Sequence, residues 1–312
     1  MKAVQISQYG GSEMLKLNNG LDKPVLKENQ VLVEVYAASI NPFDFFVIGG
    51  FSKDYIKQDF PLTIGGDFSG KIKEVGKEVS GFKIGDEVFG TAIILSGGSG
   101  AFAEFATVNP GRMSLRPKNI DFIQSASLPL VGSSAVQALE EEIKLKSGEK
   151  ILVHGGAGGI GSIAIQLAKF IGAHVATTVS EQDREFVKNL GADEIIEYKT
   201  EKFEEKLKDY DAVYDTIGGN VMERSFKVLK KGGRLASMKG QPSPDLASQY
   251  GVTAIAVNTK NSTIHMDRVR ELVEKMVIKP QVDKVFPLEE TSTAFIYKMQ
   301  NHPKGKVVIK IK

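Results

Sequence analysis

The glycine-rich segment 155–161 constrains the fold of this chain more than any other feature. The apolar run 151–153 precedes it, and a helical pattern follows at once, with apolar residues spaced along one helix face. A strand, a tight loop and a helix in this order are typical of a parallel, doubly wound sheet. Within the loop, Gly156, Gly158 and Gly161 satisfy the pattern G-x-G-x-x-G.

Each glycine of this pattern has a distinct physical task. The first permits the turn, the second lets the backbone approach a pyrophosphate, and the third lets helix and strand pack closely. The N–H groups and the positive end of the helix then form an anion site. A tight turn that binds nothing would look similar, but the strand and helix on either side favour a nucleotide. The predicted cofactor-binding residues of the loop are Gly156, Ala157, Gly158, Gly159, Ile160 and Gly161.

Composition excludes several other classes of protein. The 312 residues are enough for two domains, and 40 basic against 38 acidic side chains leave no charge footprint for nucleic acid or an anionic membrane. The absence of cysteine excludes disulfides, thiolate catalysis and cysteine-bound metal. Residues 1–6 are followed by polar residues rather than by an apolar signal core, and no apolar run reaches spanning length, so we expect a cytoplasmic protein with a small-molecule partner.

The rest of the chain divides by pattern into three stretches. Short alternating segments broken by glycine, including a predicted strand at 100–106, indicate a β-rich, barrel-like domain up to about residue 108. Strands and helices alternate after the glycine loop, and the few elements after residue 264 would return to complete the first domain. The predicted boundaries are 1–121, 122–262 and 263–312. The expected strands of the middle stretch are 175–179, 194–198, 212–215, 234–238 and 253–257, with helices at 182–190 and 221–229.

The order of motifs resembles the medium-chain dehydrogenase/reductase superfamily, specifically its zinc-free quinone oxidoreductase branch. Besides the glycine loop, the motifs are Asn41-Pro42-Phe43-Asp44, Ile64-Gly65-Gly66-Asp67-Phe68-Ser69-Gly70, Gly100-Ala101-Phe102-Ala103-Glu104-Phe105, Ala126-Ser127-Leu128-Pro129-Leu130 and Gly305-Lys306-Val307-Val308. The resemblance implies an α/β fold with a GroES-like β-rich domain formed from both chain ends and a Rossmann domain in the middle. It also implies NADPH bound in the cleft between them, and a homodimer.

The zinc-dependent members of the superfamily differ at recognisable positions. They carry a cysteine where this chain has Asn41, a Gly-His-Glu motif where it has Gly66-Asp67-Phe68, and a four-cysteine lobe that it lacks. We therefore expect no metal and no zinc-assisted alcohol oxidation. Asp67 and Asp86 are expected to fix turns, because no histidine or cysteine accompanies them at ligand spacing.

The end of the second predicted strand bears on the choice between NADPH and NADH. A carboxylate there would bind the ribose hydroxyls of NAD and repel a 2′-phosphate, whereas this chain has Ser180, then Glu181, with Arg184 nearby. Members of the family that this chain resembles place a serine, a basic residue and a tyrosine at the 2′-phosphate. Tyr198 matches the tyrosine of that pattern. The alternative is that Ser180 caps a helix and Arg184 is solvated. Ser180, Arg184 and Tyr198 are predicted to bind NADPH, although Glu181 weakens the inference.

The resemblance implies hydride transfer from NADPH to a quinone or another α,β-unsaturated carbonyl. Such chemistry belongs to the cofactor, so few catalytic side chains are needed. The family motif places Asn41 and Asp44 near the nicotinamide. Where better-known members have an aromatic hydroxyl, this chain has Phe45-Phe46, which leaves Tyr55 as a candidate polar contact. Phe45 and Phe46 are expected either to form an apolar wall on which a flat acceptor stacks or to pack in the core.

The geometry of open α/β sheets also predicts the positions of other residues at strand ends. Ligands bind beyond the carboxyl ends of the strands, so Val257 and Asn258 should line the nicotinamide end and Asp215 should point toward the cofactor. His154, at the end of the first Rossmann strand, is expected to be a satisfied structural histidine rather than a base.

Three functions remain open from the sequence. The first is an NADPH-dependent reductase of quinones or enones. The second is a reductase of alkenals or enoyl thioesters, for which Lys53 and Lys57 could supply a positive rim, although solvated surface lysines explain them equally well. The third, of a different class, is an NADPH-binding redox sensor without significant turnover.

Overall fold

The computed structural model describes residues 1–53 and 59–312. Contacts divide these residues into two compact units, the first comprising 1–130, 261–274 and 280–312 and the second 131–260 with 275–279. Both chain ends therefore belong to one unit and the middle of the chain to the other. The fold class predicted from the sequence is confirmed.

The first unit is rich in β-structure. Its strands are β1 (Ala3–Ile6), β2 (Lys16–Asn18), β3 (Val31–Ser39), β4 (Leu62–Thr63), β5 (Asp67–Val75), β6 (Glu87–Thr91), β7 (Phe105–Val108), β8 (Met113–Leu115), and the late strands Val282–Pro287 and Lys306–Lys310. Its helices are α1 (Pro42–Ile48), α2 (Phe122–Ala126), and the late helices Thr263–Glu274 and Thr291–Asn301. The helix α2 packs on β3 and β5 and so lies in this unit, beyond the predicted boundary at residue 121.

The second unit contains the remaining strands and helices. Its strands are β9 (Lys150–His154), β10 (His174–Val179), β11 (Glu194–Glu197), β12 (Tyr210–Asp215), β13 (Leu229–Ser237) and β14 (Thr253–Ala256). The late strands of the first unit are therefore β15 and β16. The helix α3 (Pro129–Val136) continues into a π-helical turn, Gln137–Glu142. The next helices are α4 (Gly159–Ile171), α5 (Arg184–Asn189), α6 (Phe203–Lys206), α7 (Gly219–Ser225) and α8 (Pro244–Tyr250), and the late helices of the first unit are α9 and α10.

In the first unit, the main sheet joins residues from opposite ends of the chain. Among the described residues its order is β15-β16-β3-β5-β6-β8, with β7 paired to β3. The strand β16 runs antiparallel to β3, with Val308 opposite Ser39. A buried apolar core lies under this sheet and includes Val33, Phe68 and Phe295. The C-terminal strand thus begins beside the segment that leads into α1, where the Ile40 N–H donates to the Val307 carbonyl at 3.1 Å.

The strand predicted at 100–106 is wrong in its position. The strand β7 begins only at Phe105, because the preceding residues hydrogen-bond to separate segments rather than to one neighbouring strand. The Phe102 N–H donates to the Ile64 carbonyl at 2.9 Å, and the Phe102 carbonyl accepts from the Val4 N–H at 2.8 Å. Gly100 also has a φ of +87°, outside the extended region.

The second unit is a doubly wound α/β sheet. All its strand pairs are parallel and the order is β11-β10-β9-β12-β13-β14. The chain moves outward from β9 first through β10 and then, on the other side, through β12. Because ligands of such sheets bind where the order reverses, the carboxyl end of β9 is the expected binding edge.

Element ends in the second unit differ slightly from the sequence predictions. The predicted helix 182–190 begins as an α-helix only at Arg184, and the predicted helix 221–229 gives way to a 3₁₀ turn at Phe226. The helix α4 ends at Gly172, whose φ of +93° is the left-handed conformation that commonly closes helices. Among the described residues, no helix has both the length and the apolar character needed to cross a membrane.

Candidate active site

The glycine loop turns directly from β9 into α4. Gly155 adopts the left-handed conformation, with φ of +69°, and its carbonyl accepts from the Gly158 N–H at 3.0 Å. The Gly156 N–H donates to the Thr178 carbonyl on β10 at 3.3 Å. The left-handed residue of the turn is therefore Gly155, directly before the first glycine of the pattern.

Gly156 and Gly161 are required for close packing. A Cβ on Gly156 would lie 2.1 Å from Thr177 Oγ1, and one on Gly161 would lie 2.2 Å from the Gly155 carbonyl oxygen. Both distances are far shorter than any van der Waals contact. By contrast, a Cβ on Gly158 would meet only the Gly155 oxygen, at 3.3 Å. The pattern thus closes the loop against β10 and leaves its outer side open at Gly158.

The open side of the loop has the properties of an anion site. Gly158 is the N-cap of α4, and the first helical bond runs from the Ser162 N–H to the Gly158 carbonyl at 2.9 Å. The first turn of α4 consists of Gly159, Ile160, Gly161 and Ser162. These small or apolar residues leave the N–H groups and positive end of a 13-residue helix available to a phosphate. The loop therefore fits the pyrophosphate of a dinucleotide.

His154 is buried and neutral. Its Nε2 lies 2.9 Å from Ser225 Oγ, and Ser225 already donates its proton to the Val221 carbonyl, so Nε2–H is the donor. Its Nδ1 then accepts from Thr178 Oγ1 at 3.0 Å. Burial lowers the pKa of His154 to about 4. The expectation of a satisfied structural histidine is confirmed.

Asp215 supports the neighbouring loop at the same sheet edge. Its Oδ1 accepts from the Ile217 and Gly218 N–H groups, each at 3.0 Å, and its Oδ2 accepts from Ser237 Oγ at 2.8 Å. A Cβ on Gly155 would touch Thr216 and Ile217, so this loop packs on the glycine turn. Asp215 therefore holds the adjacent turn, and its orientation toward a cofactor stays a prediction.

The predicted 2′-phosphate residues follow β10 and β11, which are neighbours in the sheet. The Tyr198 N–H donates to the Val179 carbonyl at 3.1 Å, which places Tyr198 beside the end of β10, and its side chain is 57% exposed. Ser180 Oγ donates to Asp183 Oδ2 at 2.6 Å. Arg184 lies 3.6 Å from Glu181 and reaches back to the Ile195 carbonyl at 3.4 Å. Ser180 and Tyr198 are therefore close in the sheet, whereas the guanidinium of Arg184 contacts Glu181 and the Ile195 carbonyl.

The last predicted cofactor residues follow β14. The Val257 N–H donates to the Ser237 carbonyl at 2.8 Å, which extends the pairing of β13 and β14 by one residue. The Asn258 carbonyl accepts from Gln137 Nε2 at 3.2 Å. The segment thus leaves the sheet at its carboxyl edge, on the side of β9 that also carries the Asp215 loop.

In the first unit, Asn41 and Asp44 begin α1 as a capping pair. Asn41 is the N-cap, Pro42 is the first helical residue, and Asp44 accepts from the Asn41 N–H at 2.6 Å. Both side chains are almost fully buried. The sequence pattern Asn-Pro-x-Asp therefore has a clear local task, which is to start a short helix at the end of β3.

A buried group of charges surrounds this helix start, and the sequence prediction missed it. Lys306, 3% exposed, donates to the Ile40 carbonyl at 3.0 Å and to Asn41 Oδ1, and lies 3.7 Å from Asp67 Oδ2. Asp67 also accepts from the Leu130 N–H at 3.2 Å. We call Asn41, Asp44, Asp67 and Lys306 the ionic cluster. The expectation that Asp67 fixes a turn is wrong, whereas Asp86 does fix one by accepting from the Lys83 N–H at 2.9 Å.

Burial dominates the protonation of the ionic cluster. It raises the pKa of Asp44 to about 7, against the hydrogen bond from Asn41 and with a further contribution from the charge of Asp67. Burial also raises the pKa of Asp67 and lowers that of Lys306. Nearby Lys298 has its pKa lowered to about 8 by burial and by the charge of Lys306. Burial thus favours the neutral forms of these groups, whereas the attraction between Lys306 and the two carboxylates favours the charged ones.

Aromatic rings extend from α1. The ring of Phe46 stacks on Phe43 with centroids 5.8 Å apart, and it also lies 5.7 Å from Phe51, which is 66% exposed. Phe45 instead packs on Phe295 at 4.7 Å in the core. The two phenylalanines therefore separate, one into the core and the other into a partly exposed aromatic row. Tyr55 and Lys57 lie outside the described residues.

Comparison with known proteins identifies the family. Residues 27–118 match the family described as the alcohol dehydrogenase GroES-like domain, and residues 190–309 match the family described as zinc-binding dehydrogenase. The chloroplastic NADPH-dependent alkenal/one oxidoreductase of Arabidopsis thaliana is 37% identical over 317 residues, which cover 99% of this chain and 79% of that protein. The chain belongs to the medium-chain dehydrogenase/reductase superfamily, in its quinone oxidoreductase branch.

Solved structures agree with this assignment over the full length. A quinone oxidoreductase from Coxiella burnetii superposes with a TM-score of 0.92 at 33% identity, covering 100% of this chain and 99% of that one. The Escherichia coli quinone oxidoreductase complexed with NADPH gives a TM-score of 0.88 at 25% identity, covering 100% of both chains.

Proposed function

We propose that this protein is an NADPH-dependent reductase of quinones and other α,β-unsaturated carbonyls. The observation that carries the proposal is the glycine cradle between β9 and α4, which fits a dinucleotide pyrophosphate by packing and by helix electrostatics. The named relatives act with NADPH on alkenals and enones or on quinones. When bound, NADPH supplies a hydride from its nicotinamide, and this hydride with a proton from solvent reduces the conjugated acceptor.

The residues of the chain then have binding and positioning tasks. Gly156, Ala157, Gly158, Gly159, Ile160 and Gly161 form the pyrophosphate loop. The partly exposed row of Phe46 and Phe51 offers an apolar surface on which a flat conjugated acceptor can stack. Asn41 and Asp44 keep the role near the nicotinamide that the family motif implies, supported by Lys306. Val257 and Asn258 line the nicotinamide end, because they leave the sheet at its carboxyl edge.

Three residues near the end of β10 are candidates to bind the 2′-phosphate, and their contacts favour them unequally. Tyr198 is exposed beside the end of β10 and can donate its hydroxyl. The Arg184–Glu181 contact at 3.6 Å is a weak, partly solvated ion pair worth about 0.5 kcal/mol, so Arg184 can exchange it for a phosphate. Ser180 must release its proton from Asp183 before it can donate to a ligand. We therefore assign most of the NADPH preference to Arg184 and Tyr198.

The first experiment follows loss of NADPH absorbance with purified protein, beside NADH, against quinones, enones, alkenals and enoyl thioesters. Rapid oxidation of NADPH by quinones or enones supports the proposal. Turnover confined to alkenals or enoyl thioesters would replace it with the second candidate. Measurable NADPH binding without turnover by any acceptor would favour a redox sensor, the candidate of a different class.

The cofactor assignment has its own test in Arg184→Gln. We expect kcat/KM for NADPH to fall about tenfold with that for NADH unchanged, because only the phosphate loses a charged partner. Lys188→Gln, one turn further along α5 and exposed, is the matched control and should leave both values unchanged. Equal losses with both cofactors in Arg184→Gln would show that the arginine does not recognise the phosphate.

Two further expectations stay proposals. The homodimer comes from the family resemblance, and light scattering of the purified chain tests it. The cytoplasmic location comes from the sequence, and the chloroplastic relative supplies the alternative that cell fractionation would distinguish.

A further inference from the structure

Gln137 attaches the segment after β14 to the helix that begins the second unit. It lies at the start of the π-helical turn Gln137–Glu142 and is 2% exposed. Its Nε2 donates to the Asn258 carbonyl at 3.2 Å, and its Oε1 accepts from the Lys260 N–H at 3.0 Å. One buried side chain thus satisfies both a carbonyl and an N–H of the main chain at 258–260.

The orientation of this amide is fixed by its partners. A flipped Gln137 would place an NH₂ group against the Lys260 N–H and an oxygen against the Asn258 carbonyl, and both contacts would be repulsive. The second hydrogen of Nε2 faces Glu142 Oε1 at 3.4 Å. Because Glu142 is the fifth residue after Gln137, this contact spans the π-helical turn. Such turns inside helices are rare and occur frequently at functional sites.

Additional bonds hold the same segment. Thr259 Oγ1 lies 2.7 Å from Ser134 Oγ, one turn before Gln137, and the Ser134 carbonyl accepts from the buried Tyr214 hydroxyl at 3.1 Å. Tyr214 belongs to β12, and Val257 is bonded to β13 through Ser237. The segment 257–260 is therefore fixed to α3, to the π-helical turn and to the sheet.

We propose that Gln137 is a positioning residue for hydride transfer: it fixes the main chain of 258–260 as the support against which the nicotinamide is held. The inference rests on the proposed function, which assigns Val257 and Asn258 to the nicotinamide end. A support fixed in this way limits the positions that the ring can occupy, and misplacement by about 1 Å can reduce a rate about a hundredfold. Gln137 does not touch the reacting atoms and acts only through this segment.

The test compares Gln137→Met with Gln166→Met in the full chain. Gln166 is a matched control because it holds another main-chain segment in the same way, donating to the Lys279 carbonyl at 3.1 Å and accepting from the Lys279 N–H at 2.8 Å. Three quantities are measured: kcat with NADPH, the affinity for NADPH, and the affinity for 2′,5′-ADP, which lacks the nicotinamide.

In Gln137→Met we expect kcat to fall about tenfold and NADPH to bind more weakly, with the affinity for 2′,5′-ADP unchanged. Gln166→Met should keep all three values. Equal weakening of NADPH and 2′,5′-ADP, an unchanged kcat, or the same loss in both variants would overturn the proposal. If Gln137→Met does not fold, Thr259→Val, which removes the hydroxyl contact to Ser134, must show the same nicotinamide-specific loss.

Failure of the proposed function can be distinguished from failure of this inference. If the unaltered protein oxidises no NADPH with any acceptor, the reductase proposal fails. The ratio of NADPH to 2′,5′-ADP affinity still reports on the segment 257–260 in that case. A ratio that Gln137→Met leaves unchanged would then reject the positioning role by itself.

Discussion

The two units each bury a polar centre, and the two centres are built in opposite ways. His154 in the second unit is neutral, and its two ring nitrogens are paired with the hydroxyls of Thr178 and Ser225. The ionic cluster in the first unit places Asp44 and Asp67 near the ammonium of Lys306. A neutral hydrogen-bonded group needs only correctly placed partners. A buried ion also needs a counter-charge, since desolvation disfavours it strongly.

A neutral centre and an ionic centre should tolerate substitutions to different degrees. Removing a hydroxyl beside His154 leaves one neutral atom without a partner, at a cost of about 1–3 kcal/mol. Removing one charge from the ionic cluster leaves the others buried and uncompensated. The ionic cluster is therefore expected to depend on single residues more strongly than the surroundings of His154 do, and the following substitutions test that contrast.

The largest effect is expected for Lys306→Met. This change keeps most of the side-chain volume but removes the cation that contacts Asn41 and Asp67, so we expect the free energy of unfolding to fall by about 3–5 kcal/mol. Urea denaturation measures it. Lys310→Met, on the same strand but exposed, should stay within about 0.5 kcal/mol of the unaltered protein. A loss below about 1 kcal/mol for Lys306→Met would show that the cluster is not ionic in the folded protein.

A second prediction concerns the pH dependence of Asp44. Its pKa is raised from 3.8 to about 7, so between these values the folded chain keeps a proton that the unfolded chain has lost. The folded state binds more protons there, and its stability falls as the pH rises through this window, by up to about 4 kcal/mol. Asp44→Asn, which keeps an acceptor for the Asn41 N–H, should remove this fall.

The measurement is the unfolding free energy at several pH values from 4 to 7. Asp245→Asn, an exposed position in the first turn of α8, serves as the control and should keep the pH profile of the unaltered protein. Parallel profiles for Asp44→Asn and the unaltered protein would mean that Asp44 is ionised in both states.

The contrast also explains what the sequence could and could not predict. The glycine loop was predictable because Gly156, Gly158 and Gly161 act within one strand–loop–helix unit, where each constraint is local. The structural role of His154 was also predictable from its place at a strand end. The ionic cluster was not, because Lys306 and Asn41 are 265 positions apart and only the pairing of β16 with β3 brings them together.

Some signals of the cluster were nevertheless present in the sequence. Lys306 directly precedes the apolar run Val307-Val308-Ile309, a position at which a strand residue is easily buried. Asp67 was assigned to a turn because no histidine or cysteine accompanies it at ligand spacing, whereas the structure makes it the first residue of β5. Local patterns thus identified the strands and helices. They did not identify which buried charged side chains lie next to one another.

The smallest expected effect concerns His154 and has the opposite sign to that of Asp44. Burial lowers the pKa of His154 from 6.5 to about 4. Between these pH values the histidine is protonated in the unfolded chain but stays neutral in the folded chain. Stability is fully retained above pH 6.5 and falls as the pH drops through this window, by up to about 3 kcal/mol. His154→Gln should flatten this part of the profile, whereas His302→Asn, at an exposed position with φ of +45°, should not. If the profiles of the two variants coincide, His154 is protonated in the folded protein, and the neutral centre of the second unit would have to be reinterpreted as a second ionic one.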